Sequence, residues 1–181
     1  MRLKLGKYRF QGQVQEQPQT PNRLPVASGC LPPGQIAPDF TLSGSADQPL
    51  SLSELRGQPI ILVFFQGDDH SVCRDQLAFY DVIYPLFEGF NARLFGISVD
   101  HAQAQRTFAE ACHFKFSLLA DFEPQGAVAQ RYGVYDDESG CCQRALFVVD
   151  EAGLIRWSYV APPSVNPGAD GILNTLELLY S

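Results

Sequence analysis

Residues 60–77 read IILVFFQGDDHSVCRDQL. The run opens with six apolar residues, Ile60 to Phe65. That is the length of a strand buried on both faces, and a polar turn follows it. Past the turn, Cys73 falls at the start of a predicted helix. A thiol there faces unpaired backbone N–H groups and the positive end of the helix dipole, and both favour thiolate over thiol. The stretch therefore predicts a reactive cysteine on a strand-to-helix elbow.

The helix after Cys73 places Leu77, Tyr80, Tyr84 and Phe87 on one face, and Pro85 is expected to kink it or end its regular part. Upstream, Asp39–Leu42 reads as a short strand. Ser51–Glu54 has capping-box form before a short helix that Gly57 ends. Downstream, Leu94–Val99 is a second central strand. Ala104, Phe108, Ala111 and Cys112 form the apolar face of the next helix, and Phe116–Leu119 a brief strand. Gln125–Tyr132 is a short helix. Ala145–Val149 and Leu154–Val160 flank the turn Asp150–Gly153 and predict a hairpin. A last helix carries Ile172, Leu173, Leu176 and Leu179. This order predicts an α/β fold: a mixed central sheet with helices on both faces.

The totals narrow the function. A chain of 181 residues holds one domain with length to spare. A net charge of −7 argues against a nucleic-acid partner. No apolar stretch reaches the roughly 18 residues of a membrane span. No secretory h-region is present, so Val26–Cys30 is not read as a lipoprotein cleavage site. The expected compartment is the cytoplasm, where cysteines are more often catalytic, metal-binding or inert than paired. Residues 1–34 differ in composition: glutamine alternates from Gln11 to Gln19, prolines follow, and Pro32 and Pro33 mark the end. They read as a flexible or loosely docked arm before a domain over 35–181.

Cys73 needs a cation nearby. An ordinary thiol is a few per cent ionised at pH 7. Making it mostly ionised takes roughly two pKa units, each about 1.4 kcal/mol. A helix end contributes only about 0.3–1 kcal/mol, rising to about 2 in partly buried settings. Arg144, at the start of a buried strand, is the candidate. A fixed guanidinium both favours the thiolate and hydrogen-bonds an oxygen substrate.

In the order and spacing of six segments the sequence resembles the peroxiredoxins of the AhpC/TSA family. These are APDFTL (37–42), SLSELRGQPIILVFF (51–65), the cysteine elbow, LFGISVD (94–100), FSLLADFEPQGAVAQRYGVY (116–135) and RALFVVDEAGLIRW (144–157). Its pattern is nearest the AhpE and bacterioferritin-comigratory groups. The resemblance covers about Gly34 to Tyr180. It implies a thioredoxin-like fold and a thiol peroxidase whose cysteine becomes a sulfenic acid and is restored by a reductant. It puts Cys73 at the peroxidatic position, Arg144 at the family arginine, and Gln76 at a polar position that can steady that arginine. The family's active loop reads Pro-x-x-x-Thr/Ser-x-x-Cys. Here Gln66 stands at the proline and His70 at the hydroxyl. His70 could donate an N–H to the same peroxide oxygen.

His70-Ser-Val-Cys73 replaces the Cys-x-x-Cys of a dithiol oxidoreductase, and Arg144-Ala145 stands where a facing proline would be. Asp68, Asp69, His70 and Cys73 match no metal spacing. The resemblance implies no metal or organic cofactor. Cys112 reads as core. Cys141 or Cys142, in the loop before Arg144, is a candidate resolving thiol, and Cys30 a candidate link to another chain. Trp157 reads as a packing residue. The leading expectation is a one-cysteine peroxidase for hydrogen peroxide or small alkyl hydroperoxides. Its expected reductant is a low-molecular-weight thiol or a thioredoxin- or glutaredoxin-like protein, and the resemblance suggests a homodimer. The alternatives are a peroxidase-impaired sensor or binding protein on the same scaffold, and a disulfide reductase pairing Cys73 with a distant cysteine.

Overall fold

The computed structural model describes residues 29–67 and 70–181. In chain order these form β1 (Thr41–Leu42), β2 (Leu50–Ser51), a 3-10 turn (Leu52–Leu55), β3 (Ile60–Phe64), α1 (Ser71–Gly89), β4 (Arg93–Ser98) and α2 (Ala102–Cys112). There follow β5 (Ser117–Ala120), α3 (Ala127–Arg131), β6 (Tyr135–Asp136), β7 (Cys141–Cys142), β8 (Ala145–Val149), β9 (Ile155–Val160) and α4 (Asp170–Leu179). Residues 1–28 of the expected arm, and Asp68 and Asp69, lie outside the described residues.

Five strands make the central sheet, in the order β5-β4-β3-β8-β9. β3, β4 and β5 run parallel, and β8 and β9 are antiparallel to their neighbours. The helices between the parallel strands supply the crossovers that parallel pairing requires. The β8–β9 hairpin turns at Asp150, whose Oδ1 accepts the N–H groups of Ala152 (3.0 Å) and Leu154 (2.9 Å).

All of β3 is buried, and its side chains alternate between two cores. Ile61 and Val63 join the layer of α1 and α4, with Leu77, Tyr80, Phe87, Ile172 and Leu176. Ile60, Leu62 and Phe64 join the layer of α3, with Val128, Ala129 and Tyr132. A continuous apolar run is what a strand covered on both faces needs.

Several boundaries differ from the sequence expectation. α1 continues through Pro85 to Gly89. The Asp81 carbonyl, which Pro85 cannot serve with an N–H, accepts Lys115 Nζ instead at 2.9 Å. On α2, Ala104 and Ala111 are exposed, and the buried positions are Gln105 and Phe108. Gln105 is tolerated there because its Nε2 donates to Ser98 Oγ. Cys112 is half-buried against the α1 layer. Cys141 and Cys142, expected in a loop, form β7 against β6. Residues counted with the arm from composition are docked: Leu31 N donates to Tyr132 O (3.1 Å), Gly34 N to Ile155 O (2.7 Å), and Cys30 is buried.

Candidate active site

The elbow is built at the C-terminal end of β3. The ladder runs one residue past the strand, where Phe65 N donates to Ile97 O at 3.0 Å. Gly67 then turns the chain with φ 129°, a conformation that side-chain-bearing residues rarely adopt. A Cβ there would also meet Asp100 Oδ2 at 3.2 Å. His70 is the N-cap of α1, which makes Cys73 the third helical residue. The Cys73 N–H donates to the His70 carbonyl at 3.0 Å. Among the described residues, the open N–H groups of this first turn are therefore those of Ser71 and Val72.

Antiparallel register brings the arginine to the same place. Ala145 opposes Phe64, so the residue before Ala145 lies beside the elbow that follows Phe64. Ala145 faces the α3 layer and Leu146 the α1 layer. Alternation then aims Arg144 at the α1 layer. Arg144 is 2% exposed, Cys73 is fully buried, and Arg144 Nη2 donates to Cys73 Sγ at 3.5 Å.

The other amino group of that guanidinium is clamped by the β9–α4 loop. Arg144 Nη1 donates to the carbonyls of Pro163 (2.7 Å), Val165 (3.1 Å) and Pro162 (3.3 Å). Two prolines supply carbonyls without N–H groups of their own, so the loop presents acceptors to a buried cation. A buried charge needs such partners. These carbonyls were not found by sequence reasoning; the Pro162-Pro163 pair after a strand was the available signal.

Gln76 lies one turn beyond Cys73 and is fully buried. It does not bond Arg144. Its Nε2 donates to the Tyr80 hydroxyl at 3.2 Å, which donates in turn to Gly168 O at 2.8 Å. Burial pushes the Tyr80 phenol well above its ordinary pKa and outweighs the opposing Gln76 bond, so the hydroxyl stays protonated as a donor. Gln76 Oε1 and Arg144 Nε are both buried without a protein partner. His70 is exposed, and its side chain makes no capping hydrogen bond.

The remaining cysteines are spread apart. Cys30 and Cys142 pack in the α3 layer, across the sheet from Cys73. Burial, and next the nearby Asp121 carboxylate, push the Cys142 thiol well above its ordinary pKa. Cys141 is half-buried against the α3 layer, with its sulfur 2.9 Å from Ser139 Oγ. Cys112 ends α2, at the opposite end of the sheet from the elbow, since α2 returns the chain to the start of β5. A five-residue strand spans roughly 17 Å. No group of His, Cys, Asp or Glu among the described residues could hold a metal ion.

Residues 33–158 match the AhpC/TSA family. The sequence is 37% identical to alkyl hydroperoxide reductase E of Mycobacterium tuberculosis over 131 residues, 72% of this chain and 86% of that protein. It is 30% identical to peroxiredoxin 2 of Thermoplasma acidophilum over 154 residues, 81% of this chain and 75% of that one. Among solved structures it is similar to peroxidoxin BcpB of Mycobacterium tuberculosis, with TM-score 0.76 and 28% identity over 83% of this chain and 99% of that one. The Enterococcus faecalis AhpC structure gives TM-score 0.75 and 25% identity over 83% and 93%. The architecture is the thioredoxin-like one that the resemblance implied. With the family pattern spanning the elbow, the arginine strand and most of the sheet between them, this chain belongs to the AhpC/TSA family and is a peroxiredoxin, an oxidoreductase of the thiol-peroxidase class.

Proposed function

We propose that this protein reduces hydrogen peroxide or small alkyl hydroperoxides at Cys73 in a one-cysteine cycle. The observation that carries the reading is the buried Arg144 guanidinium, 3.5 Å from the Cys73 sulfur at a helix N-terminus. A fixed cation at that distance stabilises sulfur in its ionised form. The thiolate attacks one peroxide oxygen, an S–O bond forms, and the O–O bond breaks. The departing oxygen leaves as hydroxide or alkoxide and takes up a proton as water or alcohol. Arg144 stabilises the charge that develops on that oxygen. The open N–H groups of the first turn of α1, together with the exposed His70, orient the peroxide.

The sulfenic acid is then attacked by an external thiol, which releases water and leaves a mixed disulfide on Cys73. A second thiol frees Cys73 and carries the disulfide away. Three of the other four cysteines support this order, since Cys30 and Cys142 lie across the sheet and Cys112 at its far end. The reductant is a low-molecular-weight thiol or a thioredoxin- or glutaredoxin-like protein. Because Cys73 has no exposed surface, a protein reductant reaches it when the first turn of α1 opens. The cycle calls for a reducing compartment, which we take to be the cytoplasm. The proposed assembly is a homodimer, for which the outer face of α1 offers Phe79, Val82 and Leu86, all exposed.

One specific observation favours a second reading. Gln66 and His70 replace the loop residues that shape a peroxidase pocket in the resembling family, and a buried thiol with such a loop suits a slow redox sensor. The deciding experiment treats the protein with one equivalent of hydrogen peroxide and a sulfenic-acid trap, then maps the label by mass spectrometry. Fast labelling confined to Cys73 carries the enzymatic reading. A rate no greater than that of free cysteine leaves the sensor.

A further inference from the structure

We propose that Tyr80 is a positioning residue: its hydroxyl fixes the β9–α4 loop whose carbonyls hold Arg144 against Cys73. The inference rests on Cys73 being the reacting thiol. Tyr80 lies two helical turns beyond Cys73, fully buried on the same face of α1. It stands too far along the helix to meet substrate at the elbow. Its hydroxyl accepts from Gln76 Nε2 at 3.2 Å and donates to Gly168 O at 2.8 Å. Gly168 closes the loop that begins at Ala161, where the Ala161 N–H donates to the Arg144 carbonyl at 2.8 Å.

The loop has few other ties. Pro162 and Pro163 lack N–H groups, and the Val165 N–H turns back to Pro162 O at 3.0 Å. Val165 is exposed, so the loop is not held by packing there. Among the described residues, Arg144 and Tyr80 are the only side chains outside the loop that hydrogen-bond the backbone of residues 162–168. The result is a closed ring: Cys73, one helix face, Tyr80, Gly168, the proline carbonyls, the guanidinium, and Cys73 again. Three carbonyls share the single nitrogen Arg144 Nη1, so a shift of the loop shifts the cation beside the sulfur. Releasing Gly168 removes the one direct hydrogen bond, among the described residues, between a side chain of α1 and this loop, and leaves only the guanidinium bridging the two.

The test compares Tyr80→Phe with Tyr84→Phe. Tyr84 lies on the same face of α1, is buried, and has a hydroxyl without a hydrogen bond among the described residues. Two quantities are read on folded protein: the rate of Cys73 oxidation by hydrogen peroxide, and the pH profile of Cys73 alkylation by iodoacetamide. Loss of the Tyr80 bond is expected to slow oxidation about fivefold, the size of one net hydrogen bond, and to move the alkylation profile to higher pH. Tyr84→Phe is expected to leave both within about twofold. Should Tyr80→Phe fold poorly, Asn166→Ala loosens the same anchor from the surface, because Asn166 Oδ1 accepts the Gly168 N–H at 3.0 Å; a smaller shift in the same direction is expected. Wild-type behaviour in both readouts, or equal shifts in the Tyr80 and Tyr84 variants, overturns the inference. The alkylation profile needs no peroxide, so it decides the Tyr80 link even where wild-type Cys73 reacts slowly and the peroxidase reading fails.

Discussion

Arg144 Nη2 touches the Cys73 sulfur at 3.5 Å while Nη1 of the same guanidinium is shared by three loop carbonyls. One planar group thus joins the helix that carries the thiol to the loop that packs behind it. A lysine offers a point charge on a flexible stem and cannot span both sides. Arg144→Lys is therefore expected to lower the second-order rate with hydrogen peroxide about 100-fold or more, the usual cost of losing a preorganised charge donor. Stopped-flow oxidation of Cys73 checks it. Near wild-type turnover in the lysine variant would show that charge alone suffices and that the fork geometry is dispensable.

His70 caps α1 with its backbone only, and its exposed imidazole bonds nothing that the structure describes. A threonine at an N-cap accepts a backbone N–H with its hydroxyl and stabilises a helix by about 1 kcal/mol over a non-capping residue. His70→Thr is expected to raise thermal stability by that order and to keep peroxidase activity. His70→Ala supplies neither N–H nor hydroxyl and is expected to slow peroxide reduction several-fold. Equal rates in all three proteins would remove His70 from the substrate contacts.

Much of this site is legible in the sequence, for physical reasons. Six apolar residues before a polar turn fit a covered strand by their length and flanks, and the run Ile60–Phe65 becomes β3 with Phe65 one residue beyond it. Leu77, Tyr80, Tyr84 and Phe87 recur at helical spacing and are buried together. Arg144 could be named because it opens a buried strand and stands at the family arginine; the antiparallel pairing of β8 with β3, which sets it beside the elbow, is visible only in the register. What escaped the sequence was polar and non-local. Gln105 is buried because Ser98 answers it, and α2 shows no such partner in its own pattern. The clamp of Pro162, Pro163 and Val165 carbonyls depends on backbone direction, which periodicity does not encode. Tyr80 reads in the sequence only as one position of an apolar helix face, because the partner of its hydroxyl, Gly168 O, lies 88 residues further along the chain.

A one-cysteine cycle makes a negative prediction about disulfides. Cys30 and Cys142 are screened from Cys73 by the sheet, and Cys112 sits at the sheet's other end. Oxidation with one equivalent of peroxide, without added thiol, should leave no Cys73 disulfide in peptide maps. Replacing Cys30, Cys112, Cys141 and Cys142 singly by serine should leave the first-turnover rate within about twofold, because none of them touches the reacting sulfur. A Cys73–Cys141 peptide appearing at the rate of sulfenic acid loss would establish a two-cysteine cycle instead.

Cys142 offers a test by pH. Burial and the Asp121 carboxylate push its thiol well above the ordinary value in the folded protein. In the unfolded chain the same thiol titrates at about 8.5. Above that pH the unfolded state loses a proton that the folded state keeps. The folded state then binds more protons, so stability falls as pH rises, by at most about 1.4 kcal/mol per pH unit for one group. The contribution is fully present below the unfolded pKa and fades through the alkaline range. Urea unfolding between pH 7 and 10 should therefore show a downward slope that Cys142→Ala makes shallower, whatever its fixed cavity cost. The same burial predicts that iodoacetamide at pH 9 labels Cys141 and spares Cys142 in the native protein. Comparable labelling of the two neighbours, or an unchanged slope in the alanine variant, would mean that Cys142 is not held as a neutral thiol under the β6–β7 hairpin.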